Sequence, residues 1–145
     1  MMKSAVVLAA SWLMVAAADF PIAVVQAPDS PVRLDRLRIF SADDAPPVLL
    51  YAATNLTDNQ LDQFTVMVFV FDQDGNLKAR QVAPGRRTLD ARETKYSAMV
   101  LDVGAIAATD TLMAGVDQAQ RVGSDQWWRA DLRVLAEQAV AAKKR

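Results

Sequence analysis

Apolar and polar positions alternate with a two-residue period along most of the chain, and clusters of turn-forming residues interrupt them. The densest apolar run is Phe64 to Phe71, FTVMVFVF. Such β-branched and aromatic residues suit the pleated, half-buried surface of a strand. The run meets Asp74-Gly75, a dipeptide that accepts positive φ cheaply and favours a tight hairpin turn. A more polar strand returns through Leu77, Ala79 and Val82. This hairpin is the centre of the predicted domain.

Other strands follow from the same pattern. Ile22 to Val25 predicts a short first strand, bounded by a turn between Pro28 and Pro31. Proline lacks the amide donor that a central strand needs, so an edge is expected there. Val32 to Phe40 predicts a half-exposed strand, with Leu37 and Ile39 on one face and Arg36 and Arg38 on the other. Residues Ser41 to Pro47 form a loop, Val48 to Leu56 a strand, and Thr57-Asp58-Asn59 a turn. Pro84-Gly85-Arg86-Arg87 is a further turn. Thr94 to Leu101 places Tyr96, Ala98 and Val100 on one face, and Thr111 to Ala119 alternates Leu112, Ala114 and Val116 against Asp117. Gly123-Ser124-Asp125 turns the chain into Trp127-Trp128.

Beyond Ala130 the period becomes helical. Leu132, Leu135, Ala136, Ala139 and Val140 fall on one stripe, with Lys143, Lys144 and Arg145 at the end where cations suit the helix dipole. A rival helix starts at Ser124 as N-cap, because neither Gly nor Pro occurs from Asp125 onward. A strand at the tryptophans followed by a helix is the preferred reading. The expected fold is all-β, an immunoglobulin-like antiparallel β-sandwich of seven or eight strands with a C-terminal amphipathic α-helix.

The central strand is apolar on both faces: Phe64, Val66, Val68 and Val70 on one, Met67, Phe69 and Phe71 on the other. An antiparallel sheet normally leaves one face wet. The second face therefore needs a cover, and the stripe from Leu132 to Val140 is the nearest one. Without it, Met67, Phe69 and Phe71 form an exposed patch of the kind that marks an interaction site.

The first 18 residues have the pattern of an export signal. Lys3 gives a positive start, Ser4 to Val15 an apolar core, and Ala16-Ala17-Ala18 small residues for cleavage before Asp19. The apolar stretch is shorter than the roughly 20 residues that cross a bilayer as a helix. The expected organisation is a signal peptide at 1–18, a sandwich domain at 19–129 and a helix at 130–145. The expected location is periplasmic or extracellular. With a formal charge of −1 and interspersed signs, the chain lacks the basic stripe of a nucleic-acid binder.

Asn55, the Val68-Phe69-Val70-Phe71-Asp72 run, Gly75 and the Pro84-Gly85 turn together resemble the FxLYD-type immunoglobulin-like domains of exported bacterial proteins, over about Leu34 to Val116. Val68 stands where the naming phenylalanine would be, and Val70-Phe71 stands for Leu-Tyr. The resemblance implies an immunoglobulin-like fold and export, and brings little chemistry with it.

The chain has no His and no Cys, which removes Ser-His-Asp and Cys-His catalysis and the usual zinc sites. The paired carboxylates, Asp43-Asp44, Asp58 with Asp62, and Asp72 with Asp74, all lie in turn sequences, where Asp bonds its own backbone. An EF-hand counted from Asp72 fails, because Leu77 and Ala83 occupy the positions that need Gly and Glu. No catalytic, cofactor or metal-binding residue is assigned. Asn55-Leu56-Thr57 matches a glycosylation acceptor, with turn initiation the favoured role.

Candidate interaction residues are Met67, Phe69, Phe71, Trp127, Trp128, Arg36 and Arg38. The expected function is a non-catalytic exported module for protein–protein or envelope-surface contacts, its partner another protein or a second copy. The alternative is a small-ligand or carbohydrate-binding domain using Trp127 or Trp128 beside the 41–47 loop. Arg33, Arg36 and Arg38 are expected on a solvated strand face that guards against edge pairing. A weaker option lays the terminal helix on an anionic membrane surface.

Overall fold

The computed structural model describes residues 17–83 and 88–143. Strands β1 (Ala17–Phe20), β3 (Val32–Ala42), β4 (Val48–Asn55) and β7 (Thr94–Val100) form one sheet in the order β1-β3-β4-β7. The other sheet runs β2 (Ile22–Val24), β8 (Thr111–Arg121), β5 (Leu61–Phe71), β6 (Leu77–Val82), with β9 (Trp127–Arg129) also on β8. Helix α1 spans Leu132–Lys143. This is the expected all-β sandwich with a terminal helix.

One pairing departs from an antiparallel sandwich: β2 joins β8 in parallel, Ile22 opposite Leu112. Strand β1 was not expected either. It pairs with β3 from Ala17–Ala42 to Phe20–Ile39, so the expected cleavage point before Asp19 falls inside a strand. Residues 1–16, the turn expected from Pro84 to Arg87, Lys144 and Arg145 lie outside the described residues.

Between the sheets, Val32, Leu34, Ile39, Leu49 and Tyr51 meet Phe64, Val66, Val68 and Val70 of β5 and alternate residues of β8. Strand β3 reaches this core from two parities, Val32 and Leu34 first, then Ile39. The switch occurs at a register shift between Asp35 and Arg38, where Arg36 has a φ of 53°. An extra residue in the left-handed region forms a bulge and turns the following side chains over. The sandwich expectation for Leu37 and Ile39 holds because of it.

The outer face of the five-stranded sheet carries a second core. Phe69 and Phe71 of β5 stack at 6.2 Å and join Met113 and Val25 beneath Leu132, Ala136 and Val140 of α1. The helix is therefore the cover that the doubly apolar strand required. Each of the larger of these side chains contributes roughly 1.5–3 kcal/mol on full burial. Asp131 starts the helix, its carboxylate accepting from the Val134 amide at 3.3 Å. The buried stripe is narrower than the periodicity suggests, since Ala139 is exposed. Gly115 permits the close approach: a Cβ there would stand 2.3 Å from the Val25 carbonyl oxygen and 3.0 Å from Leu132.

Candidate functional site

The two sheets differ on their outer faces. The five-stranded sheet is capped by α1, and this buries two of the candidate interaction residues. Phe69 and Phe71 are fully inaccessible and Met67 is half-buried at the edge of the same cluster. The expectation that they face a partner is corrected: the chain's own helix occupies that surface. The apolar stripe that the membrane-surface option would use packs on β5 and β8. Among the described residues no helix is long and apolar enough to cross a membrane.

Among the described residues no helix covers the four-stranded sheet. Its register lays Phe40, Val48 and Val100 in one row and Arg38, Leu50 and Ala98 in the next. Phe40 and Leu50 are each 39% exposed, Val100 58% and Tyr96 68%. Arg36 and Arg38 frame this apolar strip. The Arg36 guanidinium donates to the Tyr96 hydroxyl at 3.0 Å and lies 5.8 Å from the ring centre, and Arg38 lies 6.0 Å from the Phe40 ring. A groove of about 440 Å³ opens between these arginines, Leu50 and Tyr96. β1 pairs β3 only from Ile39 to Ala42, so β3 is still the edge of the sheet beside Arg36 and Arg38, and there the arginines flank an aromatic and aliphatic surface.

Sequence reading missed this surface. The alternation of β7 places Tyr96, Ala98 and Val100 together, as expected, but the same strand has Met99 on the opposite face, and Met99 is the one buried. The available signal was Phe40 directly after Ile39, since adjacent strand residues cannot both enter the core.

Trp127 and Trp128 are both half-buried and line one cavity of about 350 Å³ at the end of the sandwich. The Trp128 indole donates to Asp29 at 3.2 Å, and the Arg129 guanidinium lies 5.7 Å from the Trp127 ring centre. The neighbours are Asp29, Pro31 and Thr57, not the 41–47 loop. That loop follows the far end of β3, whereas the tryptophans adjoin its start.

Four carboxylates are held by neighbouring donors. Asp72 accepts from the Asp74 and Asn76 amides, both at 2.9 Å, closing the hairpin turn at Gly75, whose φ is 86°. Asp58 pairs with Arg92 at 3.0 Å. Thr65 donates to Asp117 across β5 and β8. Asp110 accepts from Lys78 and from the Ala107 amide, both at 2.7 Å. The Lys78 hydrogen bond, then that of the amide, hold its pKa below the ordinary 3.8. Among the described residues no three acidic side chains converge as a metal would need.

Asn55 is the polar centre of the fold. It is wholly buried, its amide donating to the carbonyls of Asn59, Leu89 and Asp90 at 2.8, 3.3 and 3.1 Å. Its Oδ1 accepts from the Thr57 amide at 2.9 Å and the Thr57 hydroxyl at 2.8 Å. The acceptor tripeptide therefore acts as a turn initiator, as favoured from sequence, and presents no amide nitrogen at the surface.

No protein-family model, curated protein or solved structure matches the chain.

Proposed function

We propose that this chain is a non-catalytic, exported β-sandwich module that holds a protein partner on the open face of its four-stranded sheet. The supporting observation is the asymmetry of the two outer faces. One apolar face is sealed by α1, while the other keeps Phe40, Leu50, Tyr96 and Val100 partly in water. Contiguous exposed apolar surface marks interaction sites in soluble proteins, and Tyr and Arg are the residues enriched where such interfaces bind most tightly. Tyr96 and Arg36 supply that pair. Export rests on the N-terminal signal pattern and on the resemblance to FxLYD-type domains.

A photo-crosslinking residue at Tyr96, in the cell that makes the protein, tests this reading. A matched label at Gln138, on the exposed side of α1, is the control. The expected result is a discrete adduct from position 96 that is absent from position 138, and that disappears when Val100→Lys is added. Equal labelling from both positions, or none from Tyr96, overturns the proposal.

A further inference from the structure

The tryptophan cavity lies away from the open sheet face and makes a site of its own. Successive strand residues normally point to opposite faces. Strand β9 is only three residues long and leaves a turn, and both of its indoles line the same space. The walls are held in place before any ligand arrives. Asp29 fixes Trp128 through the indole N–H, and Arg129 braces the Trp127 ring.

Two of the polar groups around those rings are not spent. Arg121 and Gln126 line the cavity, and among the described residues neither side chain has a hydrogen-bond or ion-pair partner. Thr57 and Ser124 also line it, their hydroxyls already engaged, Thr57 with Asn55 and Asn59 and Ser124 with the Gln126 backbone amide. A guanidinium without a partner presents a planar fork that matches a carboxylate with two parallel hydrogen bonds. A flat indole offers an apolar face with a polar edge, which suits a ring that is aliphatic on its faces and hydroxylated on its rim. Among the described residues Arg121 is the one cation of the lining, and the Asp29 carboxylate, opposite in sign, is already held by the Trp128 indole.

We propose that this cavity binds an acidic saccharide, its pyranose ring against Trp127 and its carboxylate on Arg121, with the Gln126 amide taking a ring hydroxyl. At about 350 Å³ the cavity has the size of a small-ligand site, and its walls are divided between apolar and polar residues.

The test is intrinsic fluorescence of the full chain during titration with trigalacturonate, with neutral cellotriose in parallel. Trp127→Phe and Trp128→Phe assign the signal, since Trp12 also emits. The expected result is a saturable shift in emission with trigalacturonate, at millimolar affinity or tighter, and binding about tenfold weaker for cellotriose. Arg121→Gln should bring the two sugars to equal affinity, and Trp127→Phe should abolish the response. Arg121 is exposed, so its variant is expected to keep the wild-type urea midpoint even if a tryptophan variant unfolds. No saturable shift, equal affinity for both sugars in the wild type, or a preference that survives Arg121→Gln overturns the proposal.

Discussion

Arg36 and Tyr96 are 60 residues apart, yet the guanidinium of one donates to the hydroxyl of the other at 3.0 Å. The contact ties the β3 bulge to the exposed strand β7. Arg36 is held at a φ of 53°, a conformation that costs a residue with a Cβ about 1–2 kcal/mol. An exposed cation–π contact returns roughly 0.5–1 kcal/mol. Arg36→Gly should therefore stay within about 0.5 kcal/mol of wild type, relief of strain offsetting the lost contact. Arg36→Val, β-branched and without the contact, should lose about 2 kcal/mol. Urea unfolding of the two variants checks the contrast; equal losses would refute the bulge as the source of strain.

Asn55 supports the largest expected single-site loss among polar residues. Asn55→Ala removes all five of its hydrogen bonds and leaves the Thr57 amide without its acceptor, while the Leu89 and Asp90 carbonyls keep the amides of Leu61 and Glu93. A cost of about 3–4 kcal/mol is expected. Thr57→Val removes the hydroxyl half of the same turn and should cost about 1 kcal/mol. Chemical denaturation of both variants and of the double variant measures their coupling, which should be well short of additive.

Helix and sheet can be uncoupled from either side. Gly115→Ala drives a methyl into the Val25 carbonyl, so β2 or α1 must move, at an expected cost of about 3 kcal/mol. Leu132→Ala, which empties the centre of the outer core, should cost about 2–4 kcal/mol. Truncation after Arg129 should lower the melting temperature and cause self-association, because Phe69 and Phe71 become exposed. Light scattering and thermal melts read both effects; a truncated chain that stays monomeric with an unchanged melting temperature contradicts the role given to α1.

Asp110 gives a pH dependence with a definite sign. Its side chain is 3% exposed and 2.7 Å from the Lys78 ammonium, and its pKa is lowered from 3.8. A depressed folded-state pKa contributes stability that is present above the unfolded value and lost as pH falls through the folded one. Wild type should therefore exceed Asp110→Asn in melting temperature at neutral pH. The gap should hold down to about pH 4 and close below it. A gap that widens on acidification would reverse the assignment.

Most strands were legible because a sandwich core demands alternation, and the turn at Gly75 and the helix at Leu132 announce themselves by residue type and period. The doubly apolar strand even required α1 as its cover. What stayed hidden depends on partners far along the chain. β2 pairs in parallel with a strand about ninety positions later, and nothing local to Ile22–Val24 encodes that choice. β7 carries apolar residues on both faces, so its inward side is decided by β4 rather than by its own pattern. The tryptophans were expected beside the wrong loop because adjacency in sequence does not say which end of a sandwich a turn occupies. Asn55 looked like a turn residue and is one; its reach to Leu89 and Asp90 is tertiary.

The position of α1 after every strand sets a temporal constraint on biosynthesis. Phe69 and Phe71 leave the ribosome some sixty residues before Leu132, Ala136 and Val140, the side chains that will shield them. During that interval the nascent chain carries a sticky aromatic surface with no internal remedy, the state in which partly made proteins aggregate or recruit chaperones. Slow codons or early release upstream of Leu132 would therefore be felt as insolubility, even though every strand of the sandwich is already present.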